Sequence, residues 1–399
     1  MSGAKVLVLT STLPRWPGDS TPRFVLDVAV GLAKLGWDIE ALAPGCAEAR
    51  SQDEIDGVAI RRFAYAWPES LQTLCYGGGI LPNVRAKRAR LALVPGFMAA
   101  AIAATRRRLS AHKPDLVHAH WIVPMGLVAA LAVPSGVPLV LTVHGSDVLD
   151  MNGGVMDAVR RRVLARANVT CNGSRTEAAI TPLLASGKRV VRIPMGARGP
   201  EASDAHGLAL PQDRFKVAFA GRLFRGKGLD DVLDAVASFA PGERPVLFVA
   251  GTGPEADRFA ARAASLGIAA DVRFLGGMTH GPLLALLRDV DAVVVPTRNT
   301  EWIEAQGLVV AEAMFAGTPV IATTGGGAED HVEDGRTGLL VPPADPAAIH
   351  DALARLMAEP ERARAMAKAA QAYARDHLSW PASAQAFDSV YRNVLSVGP

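Results

Sequence analysis

Short β-branched or leucine-rich runs recur between helix-like segments through both halves of the chain, and that alternation restricts the fold more than any other feature. The runs are Val6–Leu9, Ile39–Leu42, Leu116–His118 and Leu139–Val143, then Val217–Ala220, Val246–Ala250, Val272–Leu275, Ala292–Pro296, Val320–Ala322 and Gly338–Val341. Strand and helix in alternation predict parallel sheets covered by helices on both faces, with ligands at the carboxyl ends of the strands. The 399 residues exceed one ordinary domain and fit two of about 150 to 200 residues each. Gly196–Asp213 is rich in Gly, Ala and Pro, lacks a clear period and separates two complete patterns, which places the linker there. The expected architecture is α/β, with two doubly wound Rossmann-like domains, residues 1–200 and 213–380, facing a central cleft. A last helix, 381–399, can pack back on the first domain.

Composition narrows the functional classes. Half of the residues are hydrophobic, with 38 Gly and 27 Pro, which suits large cores and many tight turns rather than disorder. Cys46, Cys75 and Cys171 are scattered and odd in number, offering neither a disulfide framework nor a zinc spacing and favouring a reducing, cytoplasmic compartment. Lys5–Thr10 is too short for a signal peptide and reads as a first buried strand. Leu91–Ala104 and Ile122–Val133 come closest to a membrane span, but each is interrupted by Pro and Gly. The net charge of +3 conceals +10 on residues 1–200 and −7 on the remainder. Arg85, Lys87, Arg88 and Arg90, Arg106–Arg108, and Arg160–Arg162 form basic clusters that read either as solvated faces or as contacts for anionic lipid heads or nucleic acid. No nucleic-acid partner is expected.

The densest chemistry lies in Glu304-Ala-Gln-Gly-Leu-Val-Val-Ala-Glu312, followed by Gly325-Gly-Gly-Ala-Glu329. Two carboxylates about two helical turns apart are expected to share one face, with Glu304 in a loop and Glu312 inside a helix that Gly307 opens. The first amides of such a helix, and its positive dipole end, seat a phosphate. Upstream, the strand Val217–Ala220 runs into Gly221-Arg222-Leu-Phe-Arg-Gly226-Lys227-Gly228, nearly a phosphate-binding P-loop but with Gly228 where a magnesium-holding Ser or Thr would stand. Arg222 and Lys227 can still neutralise a diphosphate without a metal. Gly251-Thr-Gly253 follows another strand and reads as a tight turn or as the wall of a nucleoside pocket.

In the first half, His118-Ala-His120-Trp121 and His144-Gly-Ser-Asp147 place polar residues where strands end. His118 and His120 share one side of a strand, but a third metal ligand is missing and sugar hydrogen bonding suits them better, so no metal site is assigned. His144 can lend a hydrogen bond to a hydroxyl of a reacting sugar, or can be a satisfied, partly buried histidine. Pro17-Gly18-Asp19-Ser20 is a first strand-to-helix loop, and Tyr76-Gly77-Gly78-Gly79 a flexible loop on the acceptor side.

Taken together, these motifs resemble the retaining glycosyltransferases of family 4, which share the two-Rossmann GT-B fold, and the likeness covers nearly the whole chain. The resemblance implies a nucleotide-diphosphate sugar as donor and a sugar or lipid-linked hydroxyl as acceptor, with no metal cofactor. It implies that Arg222 and Lys227 hold the diphosphate and that the Gly307, Leu308 and Val309 amides meet its distal phosphate. Glu312 would hold the ribose and Glu304 the donor sugar, while Gly251 and Gly253 belong to the donor side. His144 would reach the sugar from the first domain, and Gly18, His118, His120 and Asp147 fall on the acceptor side. The chain departs from the family pattern at Ala305-Gln306, where Gly and Phe are usual, at Gly18-Asp19, where two glycines are usual, and at Trp302-Ile303 before Glu304. Its rivals are a GT-B epimerase or hydrolase, a P-loop NTPase, and a basic membrane-binding scaffold.

Overall fold

A computed structural model describes residues 3–16, 19, 21–149, 153–299 and 302–397. The chain divides into two compact units, Met1–Gly196 with Trp380–Pro399, and Ala197–Ser379.

The first unit holds eight strands: β1 (Lys5–Leu9), β2 (Asp38–Pro44), β3 (Gln52–Ile55), β4 (Val58–Phe63), β5 (Leu116–His120), β6 (Leu139–Val143), β7 (Asn168–Cys171) and β8 (Val190–Arg192). Their order is 3-4-2-1-5-6-7-8. All pairs are parallel except β3 with β4. The central strands are largely apolar because helices cover both faces; Val6 to Leu9 and Leu139 to Val143 are all buried. Four strands depart from the expected set. β3 is a polar edge, β8 is short and half exposed, β7 carries Asn168 and Thr170 among its four residues, and β4 has two arginines.

The helix Leu93–His112 runs through Pro95 and Gly96, which do not interrupt it as expected. Pro95 stands third in the helix, where an amide has no intrahelical partner to lose. The longer run Arg88–His112 is therefore long and apolar enough, by length and composition, to cross a membrane, but Phe97, Ala101 and Ala104 are buried in the first unit's core.

The last helix, Trp380–Val397, packs on the first unit: Ser383 donates to the Pro194 carbonyl, Trp37 to Asp388, and Gly31 leaves room for Ala384. The second unit holds β9 (Lys216–Ala220), β10 (Val246–Ala250), β11 (Val272–Gly276), β12 (Ala292–Val295), β13 (Val320–Thr323) and β14 (Leu339–Val341), all parallel in the order 11-10-9-12-13-14. Leu208 and Leu210 pack against its core and Arg198 pairs with Asp204, so the stretch read as a linker is largely part of this unit.

Strand order reverses between β1 and β5 in one sheet and between β9 and β12 in the other. Chains leaving such a pair diverge to opposite faces and open a crevice at the carboxyl ends.

Candidate functional site

In the second unit, the loops after β9 and β12 flank the switch point and bring two candidate residues together. Lys227 Nζ lies 2.5 Å from Glu304 Oε2, and 4.3 Å from the centre of the Trp302 ring. Trp302 in turn meets Phe224 edge-on at 5.5 Å. Arg222, by contrast, is exposed and makes no ion pair among the described residues.

Close backbone packing sets the glycines. Gly228 has φ +73° and leads into the helix Leu229–Ala237; a Cβ there would stand 1.9 Å from the Pro296 carbonyl oxygen. The missing P-loop Ser or Thr is thus excluded by shape as well as by sequence. A Cβ on Gly251 would meet the Gly221 carbonyl at 1.8 Å, and one on Gly253 the Leu223 carbonyl at 2.2 Å. Those two glycines seat the Arg222 loop, and amide bonds from Leu223 to Thr252 and from Gly221 to Ala250 join the loops laterally.

The helix Leu308–Ala316 begins after Gly307, which is left-handed at φ +77° and offers no side-chain cap. Its first amides, those of Leu308 and Val309, therefore lack intrahelical acceptors and stand at the positive end of the helix dipole. Only Glu312 lies on this helix. It pairs with His280 at 2.9 Å, while Glu304 sits in the preceding loop on Lys227, so the expectation of one shared helical face does not hold.

Three residues outside the motifs, Arg298, Asp231 and Asn299, hold these loops. Arg298 makes a two-pronged pair with buried Asp231 at 2.8 and 2.5 Å, and its amide donates to the Gly226 carbonyl, tying the β12 loop to the β9 loop. Asn299 accepts from the Glu304 amide at 3.2 Å and donates to the Thr324 carbonyl at 2.7 Å. The Glu304 carbonyl accepts from Gly327, whose Cβ would lie 2.2 Å from the Ala305 carbonyl. For Arg298 and Asn299 the one signal was position: Pro296-Thr-Arg-Asn is a polar run at a strand end beside the switch point.

In the first unit, β5 and β6 deliver three imidazoles. His120 Nδ1 lies 2.9 Å from His144 Nε2, with the rings nearly parallel at 18°. Trp121 and Phe24 flank His144 at 4.7 and 5.0 Å between ring centres. Burial holds His144 down at about 3, so it is neutral at physiological pH; burial and the neighbouring imidazoles also push His120 well below its ordinary value.

His118 cannot serve an acceptor. It is fully buried with both ring nitrogens taken, Nδ1 by Tyr391 Oη and Nε2 by Thr142 Oγ1, each at 2.7 Å. Thr142 in turn bonds Thr170 at 2.7 Å, so Tyr391, His118, Thr142 and Thr170 form one continuous chain. Asp147 is likewise 2% exposed and accepts from the Ile122 amide at 2.7 Å, which makes it a brace for the β5 loop rather than a ligand group. Burial raises its carboxyl to about 6.

Gly18 lies outside the described residues. Beside it, burial pushes the Asp19 carboxyl up, but hydrogen bonds from Arg15 outweigh this and hold it well below the usual range. Tyr76 anchors the Gly77–Gly79 loop by donating to the Pro44 carbonyl and accepting from Arg62. The basic clusters are only partly free: Arg160 is buried on Asp157, Arg108 holds Glu40, and Arg106 donates to the Leu131 carbonyl. Arg85, Lys87 and Arg88 remain exposed.

Comparison with known proteins places this geometry in a family. Residues 202–373 match the family described as glycosyl transferases group 1, and residues 21–197 that described as Glycosyltransferase Family 4. The glycogen synthase of Mycobacterium tuberculosis is 31% identical over 302 residues, 70% of this chain and 69% of that protein. Among solved structures, the sucrose-phosphate synthase of Thermosynechococcus elongatus superposes with a TM-score of 0.80 at 22% identity, covering 99% and 100% of the two chains. HepE of Anabaena in complex with UDP-glucose gives 0.70 at 20% identity, covering 98% and 99%. The chain belongs to the group 1 glycosyltransferases, with the GT-B fold and a family 4 amino-terminal unit.

Proposed function

We propose that this glycosyltransferase moves a sugar from a nucleotide diphosphate to an acceptor hydroxyl with retention of anomeric configuration, in the assembly of a polysaccharide or glycolipid. The observation that carries the reading is the Lys227–Glu304 pair, set at a switch point beside exposed Arg222 and the open amides of Leu308 and Val309. Cations and amides there suit a diphosphate, and carboxylates suit sugar hydroxyls. The complex of HepE with UDP-glucose supports a donor of this class.

As the bond from the anomeric carbon to the phosphate oxygen breaks, its electron pair passes to the phosphate, where Arg222, Lys227 and the helix amides stabilise it. The candidate carboxylates are engaged, Glu304 by Lys227, Glu312 by His280 and Asp147 by the Ile122 amide. That favours same-face attack, in which the acceptor oxygen bonds the anomeric carbon and its proton goes to the departing phosphate. Glu304 is assigned to donor-sugar hydroxyls, Glu312 to the ribose and His144 to a sugar hydroxyl. Charge stabilisation is assigned to Arg222 and Lys227 without a metal.

Calorimetric titration of UDP and GDP, with and without magnesium, tests this on wild type and Lys227→Ala. Metal-independent binding that is lost in the variant is expected, with turnover reduced by about 10²–10³. Glu304→Ala should retain nucleotide binding and lose turnover. Lys227→Ala binding as wild type does would overturn the assignment, and a free epimerised or hydrolysed sugar as sole product would favour the rival enzymes.

We further propose that the enzyme acts in the cytoplasm and touches an anionic membrane through Arg85, Lys87 and Arg88. Leu91 is 56% exposed in the same segment, and Trp67, 85% exposed, lies two residues beyond Tyr65, whose carbonyl abuts Gly96. Exposed cations in a segment that also carries an exposed leucine suit a lipid headgroup layer. Flotation with phosphatidylserine vesicles at low salt should carry the wild type and not the triple Glu variant; equal behaviour of the two removes the surface.

A further inference from the structure

We infer that His120 is a positioning residue for sugar binding, coupling the tautomer of His144 to its own through their mutual hydrogen bond. The inference rests on the reading of His144 as a partner of the donor sugar.

Its ground is geometric. His120 is 1% exposed, lies 4.2 Å from the His118 ring on one side and stacks on His144 at 5.2 Å on the other. His118 is itself immobilised by Tyr391 and Thr142, so the stack has a fixed end. At the other end His144 is partly exposed; its Nε2 faces His120, and Nδ1 has no hydrogen-bond partner among the described residues. Nδ1 is therefore the nitrogen left for a ligand.

Two neutral imidazoles sharing one contact hold a single proton between them. If His120 donates from Nδ1, His144 accepts at Nε2 and carries its own proton on Nδ1, where it donates to a ligand. If His120 accepts, His144 donates from Nε2 and Nδ1 becomes an acceptor. A sugar oxygen that needs one of these finds the other as a missing bond, so whatever fixes the proton on His120 decides what His144 offers. This is how a group buried behind a contact residue sets binding without touching the ligand.

Long-range nitrogen–proton NMR of histidine-labelled protein reads the tautomer directly. Wild type should show His144 in one neutral form, and His120→Phe, which keeps an aromatic ring but removes both nitrogens, should show a mixture. In parallel, UDP-glucose and GDP-mannose are titrated against UDP and GDP, to read the preference for sugar-bearing over free nucleotide. His144→Ala and His120→Phe should each cut that preference about tenfold, with the double variant no worse than His144→Ala. Additive losses, or an unchanged His144 spectrum in His120→Phe, would overturn the inference. If His144→Ala leaves the preference intact, the sugar-contact reading fails instead, whatever the spectra show.

Discussion

The two units place their candidate residues at the same topological position and fill it with opposite chemistry. At the β1–β5 reversal the first unit gathers neutral rings: His118, His120 and His144, framed by Trp121, Phe24 and Tyr391. At the β9–β12 reversal the second gathers formal charge on glycine-rich backbone: Lys227 on Glu304, Arg298 on Asp231, and exposed Arg222. Neutral hydrogen-bond chains tolerate full burial because every polar atom can be satisfied, whereas charges need partners or water. The first arrangement orients; the second can offset charge that develops on a leaving group. The difference makes the units vulnerable to different perturbations.

The second is most exposed to backbone change. Gly228→Ser would force a side chain into a left-handed residue whose Cβ position is 1.9 Å from the Pro296 carbonyl. A loss of at least about 4 kcal/mol is expected, since strain and collision coincide. Thermal denaturation checks it. A well-folded Gly228→Ser that hydrolyses ATP with magnesium would return the P-loop reading to contention.

Acid should strike the first unit harder. Burial leaves His118 and His144 each at about 3 and His120 also well below its ordinary value, so these rings stay neutral in the fold while the unfolded chain takes up protons below about 6.5. Their contribution is present above that pH and is lost as pH falls toward the folded values. Asp147 works in the opposite sense: raised to about 6, it favours the fold as it protonates. Between pH 6.5 and 5.5 the net loss is roughly 2 kcal/mol. The second unit has one comparable group, His331, among the described residues. Hydrogen exchange at pH 7 and 5.5 should lose protection first in β5 and β6; equal losses in β9 and β12 would erase the contrast.

The same contrast governs what the sequence disclosed. All six strands of the second unit were legible because each is a short apolar run bounded by glycine or proline. In the first unit β3 and β8 escaped because edge strands need bury only one face, and β7 because Asn168 and Thr170 break the apolar run while bonding within the sheet. Among candidate residues, Lys227 and Glu304 were visible as polar residues in glycine-rich strand-end motifs. Arg298 and Asp231 were not, since they are 67 positions apart and nothing local pairs them. His118 was noticed, but its partner Tyr391 is 273 residues away, so a saturated core histidine passed for a ligand group.

Tyr391 gives that lesson a measurable size. Tyr391→Phe leaves the ring in place, removes the partner of His118 Nδ1 and leaves that buried nitrogen unpaired, at about 1–3 kcal/mol. Tyr373→Phe in the second unit removes only a longer bond, 3.3 Å, to the Asp330 carbonyl from a half-buried ring, and should change stability by less than about 0.5 kcal/mol. Denaturant midpoints compare the two. If Tyr373→Phe costs as much, the neutral chain of the first unit has no special weight.

The smallest effect expected is at His280, and it probes whether the second unit's charges are poised for a ligand or for stability. His280 has its side chain 48% exposed, and a surface contact of that kind adds well under about 1 kcal/mol. His280→Ala should therefore leave the melting temperature nearly unchanged. It also frees Glu312, whose carboxylate now has one fewer competitor when a ribose hydroxyl approaches. UDP or GDP affinity should rise by a factor of about two to five, more at low salt than at high, because exposed pairs are screened. A fall beyond about tenfold would mean that His280 itself meets the nucleotide. No change at any ionic strength would mean that Glu312 does not compete for the ribose, and its assignment would move from ligand contact to the local geometry of the helix Leu308–Ala316.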